Sequence, residues 1–98
     1  MTQMEIGYAA SALKDLEDIR CFYHEQGVPD KGKEFIRDIL GKSQRLAKFP
    51  ESGRVVPEFQ MSFLRELILP PFRVVYRLEP QKIRVIRIWR SERLMKLD

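Results

Sequence analysis

Cys21 and His24 are the only cysteine and the only histidine of this 98-residue chain. One thiol forms no intrachain disulfide and no thiolate cluster. One imidazole near a helix end is a surface residue before it is a ligand, and zinc or Ser-His-Asp chemistry would rest on it alone. No metal site and no cofactor is expected. The chemistry of the sequence lies instead in its arginines. Between Phe72 and Arg93 stand six arginines and one lysine against two glutamates, a local charge of +5 from seven minus two, whereas the whole chain carries +4. Arginine is permanently protonated and only donates hydrogen bonds. Such a cluster binds anions or carboxylates; it is a poor general base.

Those arginines need elements to hold them. The length allows one domain with a modest core, 1–98, and the 44% hydrophobic, 33% charged composition is that of a soluble globular protein. The longest apolar runs, such as Leu67-Ile68-Leu69, are far too short for a membrane span. The N-terminus lacks a basic start and an apolar h-region, so a cytoplasmic location is expected. Met4 to Tyr8 alternates as a short strand. Leu13, Leu16, Ile19, Phe22 and Tyr23 then recur at helical spacing, with Ser11 as candidate cap. Gly27 suits a left-handed helix end, and Pro29 forbids continuation. Asp30 is placed to cap a second helix, striped by Phe35, Ile36, Ile39, Leu40, Leu46 and Ala47. The short link makes the pair an antiparallel helical hairpin. After Pro50 the period shortens: Arg54-Val55-Val56 and Leu64 to Leu69 read as strands, and Pro70-Pro71 turns the chain into the arginine-rich stretch.

That stretch reads as a β-hairpin with Pro80-Gln81 at its tip. Leu78 then faces Ile83, and Tyr76 faces Val85. Phe72, Val74, Tyr76 and Leu78 share one face with Ile83, Val85 and Trp89, and Arg87 is the exception. A slip by one residue would set the apolar row against Lys82, Arg84 and Arg90. Leu16, Ile19, Phe35, Ile39, Tyr76, Val85 and Trp89 are therefore predicted to form one core. The other face carries Arg73, Arg77 and Arg84 among Val75, Ile86 and Ile88, with Arg77 opposite Arg84 despite their like charge. Two readings stand side by side. Arginine stems cover three aliphatics on a solvated face, or the face docks an anionic or amphipathic partner.

In order and spacing the chain resembles the RelE/ParE superfamily of bacterial type II toxins, most closely the ParE-like branch, over nearly its full length. The resemblance rests on the helical hairpin with Asp15-Leu16-Glu17-Asp18-Ile19 and on FPESGRVVPEF from Phe49 to Phe59. It continues through Leu64-Arg65-Glu66-Leu67, Phe72-Arg73-Val74-Val75-Tyr76-Arg77, and Val85-Ile86-Arg87-Ile88-Trp89 before a basic tail. It implies an α+β domain: an N-terminal strand, the helical hairpin packed on one face of a small, mainly antiparallel sheet, and a short C-terminal tail. It further implies a cognate antitoxin, small and acidic with a DNA-binding N-terminal half. Such a partner would satisfy Arg73, Arg77 and Arg84 and cover Val75, Ile86 and Ile88.

The superfamily divides between two actions. Its nuclease members cut mRNA on the ribosome, which needs a base, an acid and cations for the phosphate. Arg73 matches an arginine those members keep, with Arg65, Glu66 and Arg93 as the rest of a nuclease set. Glu66 and Glu92 are the available bases, and each is also a salt-bridge partner for a neighbouring arginine. The tail after Trp89 has neither tyrosine nor histidine, one of which nuclease members usually place there. The first helix and the FPESGR segment favour the ParE-like action, poisoning of DNA gyrase with no catalytic residue of the toxin's own. Arg90, which replaces a histidine common in that branch, is then assigned with Arg93 and Lys96 to the target contact. A ribosome-dependent nuclease, or an inactive toxin-like interaction module, is the alternative.

Overall fold

The computed structural model describes residues 4–90. Strand β1 (Glu5–Tyr8) leads into helices α1 (Ala10–Glu25) and α2 (Pro29–Gln44), a 3-10 turn (Arg45–Ala47), and strands β2 (Arg54–Val55), β3 (Leu64–Leu69), β4 (Phe72–Leu78) and β5 (Lys82–Arg90). The sheet runs β1-β5-β4-β3-β2. Among the described residues only the β1–β5 pair is parallel. The helical hairpin and mainly antiparallel sheet are those expected from the sequence.

The helix boundaries obey local chemistry with two corrections. Gly27 sits at φ 80° after α1, as its place in the sequence requires. Pro29 opens α2 from its first turn, where a missing N–H costs nothing, and Val28 rather than Asp30 is the cap residue. Ser11 does not cap α1 either: Ala9 holds that position. The Ser11 hydroxyl instead donates to the Ile86 carbonyl at 2.6 Å.

Helix and sheet stripes meet in one core. Ala12, Ile19, Tyr23, Ile39 and Leu46 pack with Phe72, Val74, Tyr76, Ile83, Val85 and Ile88. Leu16 and Phe35 line its margin, half-buried. Trp89 is outside it, against expectation, and the reason is a β-bulge. The predicted register holds from Leu78–Ile83 to Tyr76–Val85; then Val75 pairs with Arg87, leaving Ile86 as an extra residue. One added residue reverses the facing of everything beyond it. Ile88 therefore turns inward opposite Val74 and is 4% exposed, while Trp89 lies opposite Arg73 on the outer face. There the Arg87 guanidinium stacks over its ring at 4.8 Å. Regular alternation would have buried Arg87 in the core.

Helix α1 holds the bulge in place. Besides the Ser11 bond, Asp15 accepts the Ile88 N–H at 2.8 Å and both a 2.8 Å and a 3.1 Å bond from Arg87. These side chains satisfy the edge of β5 beyond the end of β1. Arg90 closes the far end of the core, its guanidinium 5.6 Å and 5.7 Å from the Phe22 and Phe72 ring centres.

Candidate functional site

On the sheet face away from the helices, four charged side chains form a chain: Arg54, Glu66, Arg73 and Glu58. Strands β2, β3 and β4 bring the first three together because Arg54 pairs with Glu66 in register and Ile68 with Arg73. The Arg73 Nε donates to Glu66 Oε1 at 2.7 Å, and its two terminal nitrogens grip both oxygens of Glu58 at 2.9 and 3.0 Å. Arg54 Nε takes the other Glu66 oxygen at 2.7 Å. Glu66 is 1% and Arg73 6% exposed. Hydrogen bonding to Glu58, and after it the Glu66 carboxylate, raises the Arg73 pKa above its usual value, against the opposing effect of burial. All three guanidinium nitrogens of Arg73 donate within the molecule.

Chemically this is an anchor. A general base must reach substrate, and Glu66 is buried with each oxygen accepting from a guanidinium. Of the nuclease set, Glu66 and Arg73 meet, and Arg65 does not join them. Arg65 lies on the opposite face of β3, paired with Tyr76 in register, and donates to the carbonyls of Ser62 and Gly53 at 3.1 and 3.0 Å. Arg93 lies outside the described residues, as do Lys96 and Glu92.

The expected partner-binding face divides in the same way. Val75 is buried beside the Glu66–Arg73 pair, and Ile88 belongs to the core, a correction that follows from the bulge. Arg77 is exposed, and Arg84 and Ile86 are half-buried. Arg77 and Arg84 do face each other across the strands. The Arg77 guanidinium lies 5.3 Å from the Phe63 ring centre and the Arg84 Nε 3.6 Å from a Glu79 oxygen, which relieves the like-charge pairing. Phe63, Ile68 and Met61 are exposed apolar residues in and just before β3. Glu58 and Phe63 were not foreseen. Both sit between β2 and β3, where no periodicity marks which side chains fold back.

The ParE toxin family of type II toxin-antitoxin systems, parDE, matches residues 6–95, and the chain belongs to that family. A solved structure of the chromosomal ParDE toxin-antitoxin system from P. aeruginosa is similar over 92% of this chain and 98% of that one, with 26% identity and a TM-score of 0.77. The E. coli DinJ-YafQ toxin-antitoxin complex shares the fold, with 14% identity over 96% and 99% of the two chains and a TM-score of 0.54. No curated protein matches the sequence significantly.

Proposed function

We propose that this protein is the toxin of a type II pair, that it inhibits DNA gyrase, and that a cognate acidic antitoxin neutralises it by covering the basic face of β4 and β5. The single observation that carries the reading away from RNA cleavage is the burial of Glu66 with both oxygens held by arginine. A ribosome-dependent nuclease would have to free that carboxylate and Arg73 together. Inhibition of a large enzyme by surface contact asks for neither, and membership of the ParE family supports it. The gyrase contact is assigned to Arg90 with Arg93 and Lys96. Both proteins it meets are cytoplasmic in this reading, and no helix of the described residues is long and apolar enough to cross a membrane.

The antitoxin segment reads Arg77, Arg84 and Ile86 directly, with Arg73 and Val75 further along the same face of β4. Charged pairs at such a rim set association rate and salt dependence. Reversal of Arg77 and Arg84 to glutamate is therefore expected to weaken antitoxin binding by at least about tenfold and to flatten its salt dependence. Both side chains are accessible, so the melting temperature should stay near that of the parent. A calorimetric titration checks this; unchanged affinity moves the antitoxin to another surface.

A further inference from the structure

Helix α2 carries one exposed stripe that nothing in the fold explains. Lys33, Arg37, Gly41 and Gln44 follow one another at one-turn spacing, opposite the buried Gly32, Ile39 and Ser43. Lys48, past the 3-10 turn, borders one depression with Gln44 and is exposed like the other four. Among the described residues no ion pair engages Lys33, Arg37 or Lys48. Helix α1 is built the other way: Lys14 meets Asp18, Arg20 meets Glu17, and Asp15 meets Arg87.

Two features of the stripe lower helix stability. Lys33 and Arg37 stand four apart, as do Glu34 and Asp38 beside them, and like charges at that spacing repel. Exchanging Arg37 and Asp38 would pair both. Asp38 instead turns to the flank, toward Phe35 and Leu69, which leaves the stripe cationic. Asp30 heads it in the first turn, where the helix dipole favours an acid. The second feature is Gly41, since glycine in mid-helix is less stable than alanine. At Gly32 the reason is close packing: a Cβ there would lie 3.0 Å from the Tyr23 Cβ. At Gly41 a Cβ would meet nothing within 4 Å, so packing inside the chain does not call for it. It lets an outside body approach the helix closely between cations.

Charge and polarity select that body. A second copy would set the stripe against its own image. A protein partner needs an apolar anchor at the centre of its contact, and Leu40, 36% exposed, lies only at the margin. A single nucleic-acid strand is held on a row of aromatic platforms, and the stripe has none. A duplex backbone asks for cations, polar donors and close approach. From Lys33 to Gln44 the helix runs about 16 Å. One strand of DNA sets about five phosphates along that length, at one per 3.4 Å.

We propose that the outer stripe of α2 binds the phosphate backbone of double-stranded DNA without reading its sequence. Lys33, Arg37 and Lys48 neutralise phosphates, Gln44 donates to another, and Gly41 admits the backbone edge. DNA as the polyanion rests on the proposed toxin function, in which gyrase and the expected antitoxin both hold it. The helices cover the opposite face of the sheet from Arg77 and Arg84, so an antitoxin there and DNA on α2 need not compete.

The test titrates the full chain into a labelled duplex of about twenty base pairs, followed by fluorescence anisotropy over a range of salt. Neither gyrase nor antitoxin is present, so failure here leaves the supercoiling assay to succeed or fail by itself. Binding is expected with Kd of about 10⁻⁵ M near 50 mM salt, and log affinity should fall against log salt with a slope of about −3. Lys33→Ala with Arg37→Ala and Lys48→Ala should weaken it at least about tenfold and flatten the slope by about 1 per cation. Gly41→Leu should raise the melting temperature and still weaken binding at least about threefold, a combination that a structural glycine would not give. Arg77→Ala with Arg84→Ala should cost no more than about threefold, through the lost general attraction alone. No binding at about 10⁻⁴ M protein and low salt overturns the proposal. So does unchanged affinity in the triple or the Gly41 variant, an equal loss in the Arg77 and Arg84 variant, or equal affinity for a single strand of the same length.

Discussion

Glu66→Gln is expected to destabilise the protein by about 3–5 kcal/mol, because it leaves a buried arginine with half of its counter-charge removed. That is a large share of the stability of a small domain, commonly about 5–15 kcal/mol in total. Burial decides the size. The Glu66 carboxylate has no exposed side-chain surface, and Arg73 has 8%. Arg54, on the same carboxylate, is 60% exposed, so Arg54→Ala should cost no more than about 1 kcal/mol. Replacing Glu66 and Arg73 together by leucine and methionine should recover much of the loss, since an apolar pair of similar volume carries no desolvation penalty. Urea denaturation of the four proteins checks the series. A loss below that of Arg54→Ala in the glutamine variant would mean that the ion pair does not anchor the sheet face.

Tyr76→Ala is expected to cost about 3–5 kcal/mol through lost aromatic packing alone. Tyr76 is fully buried, and burial pushes its phenol pKa up. Its hydroxyl accepts the Gly53 N–H at 2.9 Å and donates to the Pro50 carbonyl at 2.8 Å. One side chain of β4 thus pins the Phe49–Arg54 segment to the sheet. Tyr76→Phe keeps the ring and orphans the Gly53 donor, worth about 1–3 kcal/mol. Gly53→Ala attacks the same joint from the other side. A Cβ there would sit 2.6 Å from the Glu66 carbonyl and the Tyr76 hydroxyl, which must move apart to admit it. Thermal unfolding ranks the three variants; a harmless Gly53→Ala would show the segment to be loosely held.

Reading the sequence recovered what period and turn chemistry encode. The helical stripes, Gly27 at the end of α1 and the Tyr76–Val85 register are all local patterns with one low-cost solution. The bulge at Ile86 was signalled by Arg87, the one charge that regular alternation placed in the core. A side-chain period carries no symbol for an inserted residue, so Ile88 and Trp89 were exchanged. The Glu58–Arg73 bond joins residues 15 apart through an irregular loop, beyond the reach of any periodic signal. Helix capping was lost to tertiary competition. Ser11 satisfies β5 instead of capping its own helix.

Gyrase supercoiling and mRNA cleavage on programmed ribosomes, assayed in parallel with the purified full chain, test the proposed action most directly. Supercoiling inhibited with mRNA intact, and restored by the cognate antitoxin, is the predicted result. Cleaved mRNA with gyrase unaffected would contradict it, and would require that Glu66 and Arg73 leave their buried pairing on the ribosome.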